Sequence, residues 1–156
     1  QKALLELFYS TGCRLEEVEN MKKQDIDWQK LQIRVIGKGN KERIVYINAT
    51  CQVHLRKYLM SRLDNCDALF VTERLPIKAM GRRAIQREIA KIGAQSGLNK
   101  EVYPHLIRHT FATHMLNSGM NLNILQRILG HDDPSTTLIY AELDNITVEN
   151  EYRKYS

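Results

Sequence analysis

The sequence lacks the features that mark membrane and secreted proteins. It has no apolar run near the roughly 20 residues that a membrane-spanning helix needs. It also has no basic segment followed by an apolar stretch and a small-residue cleavage site, the pattern of a secretory signal. These absences predict a cytoplasmic protein with no membrane partner.

Cysteine is also scarce. The three residues of this type, Cys13, Cys51 and Cys66, are an odd number at unrelated spacings, and no CxxC pair occurs. A disulfide framework or a zinc knuckle needs cysteines paired at short, regular spacing. We therefore expect three reduced thiols, as in proteins of the cytosol.

Clustered metal ligands are missing as well. Metal-dependent nucleases gather carboxylates around Mg²⁺, but the nearest approach to a pair is Asp132-Asp133, which stands beside a proline and is more typical of a turn. His105 and His109 have a helical spacing that can bind zinc, with His114 close by. No further ligand stands at metal-site spacing, so the sequence predicts no metal and no cofactor.

What is present is an ordinary globular composition with a basic charge. The 156 residues, 43% hydrophobic and 26% charged, suit one domain with a single core. The 23 lysines and arginines exceed the 18 acidic residues, for a net charge of +5. A basic surface attracts phosphate backbones, membrane headgroups or acidic proteins, so charge alone leaves the partner open. The chain begins at Gln1 within a helical pattern, which indicates a fragment of a longer protein.

One part of the sequence has the alternation of a small sheet. Leu31, Ile33 and Val35 alternate with Gln32, Arg34 and Ile36, which predicts a strand, and residues 43–47 predict its partner. Residues 37–41 between them, Gly-Lys-Gly-Asn-Lys, have hairpin-loop chemistry. A short strand around Ile26 is expected to add a third, edge member.

Most of the remaining sequence has helical periodicity. Pro104 suits the first turn of one helix, and Gly130 ends another. A further short helix, capped by Ser135, is expected to carry Tyr140, and residues 141–156 are polar with few core-type residues, as in a tail. The fold class predicted is therefore α+β, mainly α-helical, with a small three-stranded antiparallel sheet. The expected helices cover residues 1–9, 15–21, 53–59, 79–94, 104–117 and 122–129.

Among these helices, His105-Leu106-Ile107-Arg108 places an imidazole and a guanidinium on one face. A guanidinium matches phosphate oxygens, and histidine donates, accepts or carries a proton. An HxxR pair alone is not specific, because a solvated helix face produces the same pattern. Its neighbours make it informative: Arg14 follows a helix break at Thr11-Gly12, and Tyr140 stands nine positions after His131.

With these motifs the sequence resembles the tyrosine recombinase family, which includes phage integrases, Xer resolvases and transposon integrases. The resemblance implies the catalytic domain of that family, with the helical fold of DNA breaking-rejoining enzymes. The stretches that carry it occur in the family's order and cover nearly the whole chain: TGCRLEEVENMKKQDID, IRVIGKGNKERIVYI, PHLIRHTFATHML and LQRILGHDDPSTTLIYAEL.

The resemblance implies a role for each matching residue. Six positions would be catalytic, three would support them, and basic residues on the hairpin and on the helix of residues 79–94 would contact DNA. His109 is expected to be a buried or supporting histidine beside Arg108. Glu17 is expected to orient an active-site residue, and Asp25 to fix the turn into the sheet. The catalytic set is Arg14, Lys38, His105, Arg108, His131 and Tyr140, the supporting set is Glu17, Asp25 and His109, and the DNA contacts are Lys41, Arg43, Arg82, Arg83 and Arg87.

The chemistry of these residue types agrees with the roles. Arg14 and Arg108 would clamp a phosphodiester whose transition state gathers charge on its equatorial oxygens, with His131 as a further donor. A tyrosine hydroxyl has a pKa near 10 and needs a proton acceptor, for which His105 is the candidate. Lys38, on a glycine-flanked loop, would protonate the departing 5′-oxygen.

The expected function is therefore site-specific recombination or integration, by metal-independent cleavage and rejoining through a 3′-phosphotyrosine and a Holliday junction. The resemblance implies double-stranded DNA as partner, a tetrameric synapse on DNA, and a bacterial, nucleoid-associated location. It also implies that the family's N-terminal core-binding domain precedes residues 1–156. Two arrangements stay open for the tail of residues 141–156, packing on its own chain or docking on a neighbouring protomer. Two alternatives stay open, a type IB topoisomerase-like nicking-closing enzyme and a non-catalytic DNA-binding module.

Two departures from the family pattern concern single positions. Cys13 stands where an aliphatic residue is common, a change that a small buried thiol tolerates. Tyr140 is followed by Ala-Glu-Leu, where relatives often carry a small residue and then a histidine or basic group. The second departure concerns the docking of the tail and leaves the nucleophile assignment unchanged.

Overall fold

A three-stranded antiparallel sheet, in the order β1-β2-β3, lies beside the helices of this protein. The structure is a computed structural model that describes residues 2–98, 100–130 and 145–156. The strands are β1 (Ile26–Asp27), β2 (Gln32–Ile36) and β3 (Glu42–Tyr46). Ile33 of β2 pairs with Ile26 on one side and with Val45 on the other. The predicted sheet and its edge strand are confirmed.

The alternation in β2 directs one face of the sheet to the core. Ile33 and Val35 are buried, whereas Arg34 is exposed. The loop after β2 forms a single helical turn, Lys38–Asn40, in which Gly39 and Asn40 have φ values of 74° and 60°. Glycine and asparagine tolerate this left-handed region best, so the sequence of the loop permits the tight turn that displays Lys38.

Seven helices account for most of the residues that the structure describes. Pro104 opens one of them and Gly130, with φ of 72°, ends another, as predicted. The helix expected over residues 79–94 begins later, at Arg82, because Ala79 bridges to Val71 in extended backbone. The helices are α1 (Lys2–Thr11), α2 (Leu15–Glu19), α3 (Ala49–Ser61), α4 (Arg82–Gln95), α5 (Pro104–Asn117), α6 (Leu122–Leu129) and α7 (Asn145–Tyr155).

The buried apolar residues form two adjoining clusters. The larger one joins α1, the sheet, α3 and α4, and includes Phe8, Ile33 and Ile85. The smaller one joins α5, α6 and α7 and includes Phe111 and Leu125. Gly12 packs against the smaller cluster, where a Cβ atom would meet the ring of Phe111 at 2.6 Å. The close approach brings the end of α1 and the start of α2 against α5, where the candidate site lies.

The C-terminal helix α7 packs on the body of its own chain. Val148 and Tyr152 are buried, and the Tyr152 hydroxyl donates to the carbonyl of Ser10 at 2.7 Å. Arg153 donates to the carbonyl of Ile47 at 2.7 Å. The segment has few core-type residues, as predicted, but one apolar pair at helical spacing suffices to bury one face of a short helix. Docking of the tail on a neighbouring protomer stays a prediction.

Several predictions concern residues outside the described ranges. His131, Tyr140, the helix capped by Ser135 and the Asp132-Asp133 turn all belong to residues 131–144. Within residues 2–98, 100–130 and 145–156, no helix combines the length and the apolar composition that crossing a bilayer requires.

Candidate active site

Arg14 stands where the chain turns from α1 into α2. Its side chain is exposed, and its backbone N–H donates to the Glu17 carboxylate, Oε1, at 2.8 Å. The N–H groups in the first turn of a helix lack partners within that helix. Glu17, three residues later, satisfies the donor at Arg14. The contact fixes the backbone from which the Arg14 guanidinium projects.

Arg108, the arginine of the HxxR motif, is buried beneath this turn. It is 6% exposed, and it donates from Nη1 to the carbonyl of Gly12 at 2.5 Å and from Nη2 to the carbonyl of Leu129 at 2.6 Å. Burial, together with the positive charges of Arg14 and Arg43, lowers the pKa of Arg108 to about 10. The guanidinium therefore remains protonated at neutral pH, and it joins the break after α1 to the end of α6.

Two grooves meet at Arg14. One, of about 470 Å³, is lined by Arg14, Tyr103, His105 and Arg108 among others. The other, of about 670 Å³, is lined by Arg14, Lys38 and further residues of the hairpin and of α6. The structure thus brings together the four predicted catalytic residues that it describes, His105 and Arg108 on one side of Arg14 and Lys38 on the other.

The lining of the second groove has more basic than acidic side chains. It contains three further positive side chains, although Glu16, Glu17 and Glu42 also line it. Such an arrangement attracts phosphate groups and concentrates anions near Arg14. Gly130, the residue before His131, lies in the same lining. The further positive residues are Lys41, Arg43 and Arg127.

Glu17 and Arg43 form a bidentate ion pair at the base of this groove. Arg43 donates from Nε to Oε2 at 3.0 Å and from Nη2 to Oε1 at 2.8 Å, and its Nη1 donates to the carbonyl of Ile128. Burial of the Glu17 carboxyl favours its neutral form, but the hydrogen bonds and charge of Arg43 outweigh burial and lower the pKa of Glu17 overall. Glu17 is therefore ionised, and the Arg43 guanidinium is engaged within the chain.

The contacts of Asp25 are those expected of a residue that fixes the turn before β1. Its Oδ2 accepts from the backbone N–H of Lys22 at 2.9 Å, and its Oδ1 pairs with Arg34 of β2 at 3.2 Å. His109 is exposed on α5, so burial beside Arg108 is wrong, and a supporting role stays a prediction. One turn of helix separates it from His105, so both histidines face outward.

The arginines of α4 differ in their surroundings. Arg82 is held to α2 by ion pairs with Glu19 at 2.7 Å and Glu16 at 3.6 Å, and it lines the groove that contains His105. Arg83 and Arg87 are exposed. The DNA contacts predicted for Lys41, Arg43, Arg82, Arg83 and Arg87 stay predictions.

Two residues that line the grooves escaped sequence reasoning. Arg127 lies in the last turn of α6 and lines the groove of Lys38, and Tyr103, which is 46% exposed, lines the groove of His105. Both stand within four residues of a motif glycine or histidine, and that proximity was the signal available in the sequence.

Metal-ligand geometry is absent from the part of the chain that the structure describes. No group of three or more histidine, cysteine, aspartate and glutamate side chains is placed there to hold an ion. The two grooves are lined by arginine, lysine and histidine side chains, together with carboxylates.

Comparison with known proteins places these features in a family. A family model described as the phage integrase family matches residues 1–146. Tyrosine recombinase XerC of Shewanella sp. (strain ANA-3) is 42% identical over 146 residues, which are 92% of this chain and 48% of that protein. The chain thus spans about half the length of the curated relatives it matches.

Solved structures agree with the sequence relatives. The crystal structure of XerA recombinase superposes with a TM-score of 0.77 at 36% identity, over 97% of this chain and 55% of that one. The XerH site-specific recombinase bound to its difH substrate, in a pre-cleavage complex, gives 0.72 at 27% identity, over 96% and 44%. The predicted fold class, mainly helical with a small antiparallel sheet, is confirmed by these neighbours.

Proposed function

Because this chain belongs to the phage integrase family, we propose that it is the catalytic domain of a tyrosine site-specific recombinase. The observation that carries the proposal is the meeting of two grooves at Arg14, with His105 and Arg108 in one and Lys38 in the other. These are the cations and the proton-transfer groups that cleavage of a phosphodiester needs.

The scissile phosphate binds between Arg14 and Arg108. A guanidinium offers five N–H donors in a planar fork, and the two bonds to Gly12 and Leu129 hold that of Arg108 in place while leaving further donors for a ligand. Arg14 is exposed beside it and has its backbone fixed by Glu17. Donors that are held before the reaction stabilise the developing charge without reorganising.

Cleavage is a transesterification in which Tyr140 is the nucleophile. The phenol oxygen attacks phosphorus while His105 accepts its proton, and the bond to the 5′-oxygen breaks as Lys38 delivers a proton to that oxygen. The product is a 3′-phosphotyrosine and a free 5′-hydroxyl, and His131 donates a hydrogen bond to the phosphate. A 5′-hydroxyl of a partner duplex then attacks the link and releases the tyrosine, by way of a Holliday junction. The number of phosphate ester bonds is unchanged, so the reaction consumes no ATP. In this proposal Arg14, Arg108 and His131 supply the charge stabilisation that a metal ion supplies in metal-dependent nucleases.

Double-stranded DNA is the proposed substrate and partner. The net charge of +5 and the basic lining around Lys38 support it, as does the similar XerH, whose structure is a complex with difH substrate. We further propose four catalytic domains in a synapse on DNA, with α7 contacts exchanged between protomers there, and a core-binding domain that completes the grip on the duplex. We propose a bacterial cytoplasm, with the protein on the nucleoid, as its location, because the similar XerC proteins are bacterial.

The function is tested with a suicide substrate. The protein, in its full natural length, selects its binding sequence from a randomised duplex library, and that duplex is then nicked at successive positions along one strand. With EDTA present and ATP omitted, one nick position should yield a protein–DNA adduct that survives SDS, because the short fragment beyond the nick diffuses away and cannot be rejoined. Absence of any adduct contradicts catalysis and leaves the non-catalytic DNA-binding module.

A second assay separates recombination from nicking-closing. A supercoiled plasmid without the selected sequence should keep its supercoils in the presence of the protein. Relaxation of that plasmid at the rate of one that carries the sequence would favour the type IB topoisomerase-like alternative.

A further inference from the structure

The guanidinium of Arg43 joins three parts of the site that are distant in sequence. It projects from β3, next to the loop of Lys38, and forms a fork on the Glu17 carboxylate of α2. Its Nη1 reaches the carbonyl of Ile128 near the end of α6. The same Glu17 carboxylate accepts the backbone N–H of Arg14. One side chain thus links the hairpin, the Arg14 turn and the end of α6.

Two glycines let the backbone close around this ion pair. A Cβ atom on Gly37, the residue before Lys38, would lie 3.4 Å from Oε2 of Glu17. A Cβ atom on Gly130, the residue before His131, would lie 2.6 Å from Nε of Arg43. The backbone beside each of these catalytic positions therefore packs directly on the pair, and no side chain separates them.

The pair is shielded from water. The exposed fractions of the two side chains are 17% for Arg43 and 2% for Glu17. A planar fork that satisfies both carboxylate oxygens is the geometry that an arginine supports and a lysine does not. The third bond places positive charge at the carbonyl end of α6, which the helix dipole favours. The contacts of Arg43 are therefore specific to its shape as well as to its charge.

We propose that Arg43 is a positioning residue, which holds the end of α6 and the Lys38 loop in register with Arg14 for cleavage. The inference rests on the proposed function, and it replaces a DNA contact as the role of this residue. The positive charge of Arg43 is already offset by the Glu17 carboxylate, and all three of its nitrogens are engaged by Glu17 and Ile128. Arg108, in contrast, donates to two neutral carbonyls and keeps its charge for a phosphate.

Replacement by lysine separates shape from charge. Arg43→Lys keeps the positive charge, but a single ammonium cannot bridge the carboxylate and the Ile128 carbonyl. We expect the rate of adduct formation on the nicked duplex to fall about 100-fold, the scale of a displacement of about 1 Å in a catalytic group. The Kd for the same duplex should stay within about twofold, because residue 43 does not contact phosphate and the net charge of the protein is unchanged.

Arg34→Lys is the matched control. Arg34 is an arginine of the same hairpin and forms ion pairs with Asp25 and Glu42 at 3.2 and 3.3 Å, but it is exposed and its pairs lie outside α2 and α6. Its cleavage rate should equal that of the unsubstituted protein.

A second variant keeps the test valid if Arg43→Lys is unstable. Glu17→Gln with Arg43→Gln removes both buried charges together, so neither is left unpaired, and the glutamine at 17 still offers an oxygen to the Arg14 N–H. We expect the folded protein and its DNA binding to survive, with an unchanged slope of log Kd against log salt. The rate of adduct formation should stay low, because the glutamine side chain at position 43 is shorter than arginine and does not reach from β3 to α6.

The outcomes are distinct. Normal cleavage by Arg43→Lys, recovery of cleavage in the double variant, or a salt slope reduced by about one unit, as loss of a phosphate contact produces, would each overturn the inference. If the unsubstituted protein forms no adduct, the proposed function itself fails. The inference and the proposed function are both supported if the unsubstituted protein and Arg34→Lys form the adduct at the same rate and both Arg43 variants form it much more slowly.

Discussion

The Nη2 atom of Arg108 donates a hydrogen bond of 2.6 Å to the carbonyl oxygen of Leu129, the last residue of α6. The second bond of this guanidinium, to Gly12, reaches the break between α1 and α2. A residue proposed to bind phosphate is therefore also part of the scaffold. The carbonyls at the end of a helix lack partners within that helix, and Arg108 satisfies one of them from a neighbouring helix.

Arg108→Lys should destabilise the protein as well as impair phosphate binding. Lysine cannot span both carbonyls, and one buried acceptor left without a donor costs about 1–3 kcal/mol. The free energy of unfolding, from urea titration followed by circular dichroism, should fall by that amount. The control is Arg87→Lys, an exposed position on α4, where a change within about 0.5 kcal/mol is expected. Equal stability of the two variants would show that the carbonyl bonds contribute nothing.

Tyr152→Phe should loosen α7 from the body of the chain. The hydroxyl of Tyr152 donates to the Ser10 carbonyl at 2.7 Å and lies 2.9 Å from the Ser10 hydroxyl, in a fully buried position. Its removal leaves buried partners unsatisfied and should lower the free energy of unfolding by about 1–3 kcal/mol. Hydrogen exchange of the α7 amides should accelerate. Tyr9→Phe removes a hydroxyl that is exposed on α1 and should change neither measurement. Unchanged exchange in Tyr152→Phe would contradict the contact.

Stability should fall as pH rises from 9 to 11. Burial raises the pKa of the Cys13 thiol from 9.0 to about 11, and burial with the charge of Glu6 raises that of Cys51 to about 12. Below pH 9 both thiols are protonated in the folded and the unfolded chain, so their contribution is complete. Above pH 9 the two thiols lose their protons in the unfolded chain but keep them in the folded chain, which favours unfolding.

The difference between variants isolates this effect. Over the two pH units from 9 to 11 the loss is at most roughly 3 kcal/mol per thiol. In the presence of a reductant, Cys13→Ala with Cys51→Ala should flatten the decline of unfolding free energy with pH, although its stability at pH 8 is lower. Cys66→Ala, at a partly exposed position, should leave the decline as it is. If the unfolding free energy declines with pH equally in the unsubstituted protein, the double variant and Cys66→Ala, Cys13 and Cys51 are not buried, protonated thiols with raised pKa values.

Lys38→Ala should slow cleavage in a way that a better leaving group repairs. If Lys38 protonates the departing 5′-oxygen, a substrate with a 5′-bridging sulfur, which leaves as a thiolate, needs no proton. The variant should then regain most of the 10²–10⁴-fold that general acid catalysis typically supplies. Lys41→Ala, on the same loop, should show no such selective recovery. The assignment of Lys38 as the acid is wrong if sulfur leaves its defect unchanged.

The helices and strands were predictable where single residues mark an end of the element or the alternation within it. Pro104 and Gly130 fix one end each of α5 and α6, and the alternation around Ile33 fixes β2. α4 begins later than its periodicity suggests, because a backbone bridge at Ala79 competes with the first turn. The periodicity of a short stretch of sequence carries no information about such a pairing with a distant residue.

The site was predictable as a set of residues but not as a set of contacts. Motif order identifies Arg14, Lys38, His105 and Arg108, yet it cannot reveal that Arg43 reaches Ile128 across 85 positions. Nor does it show that His109 is exposed. A charged residue in a basic loop has the same local pattern whether it faces a phosphate or a buried carboxylate.

The C-terminal helix illustrates the same limit. The composition of residues 145–156 is polar, and its one buried face consists of Val148 and Tyr152. The hydroxyl that Tyr152 inserts beside Ser10 makes this face specific, although its apolar content is small. A tail and a docked helix differ here by a single aromatic residue.

The central claim is a covalent bond between DNA and Tyr140, and peptide mapping of the trapped adduct tests it most directly. The adduct on the selected, nicked duplex is digested with protease and nuclease, and the peptide that retains a nucleotide is sequenced by mass spectrometry. We predict that the nucleotide is on Tyr140, and that Tyr140→Phe binds the duplex with unchanged affinity but yields no adduct. A nucleotide on any other residue, or an adduct that persists in Tyr140→Phe, would contradict the account.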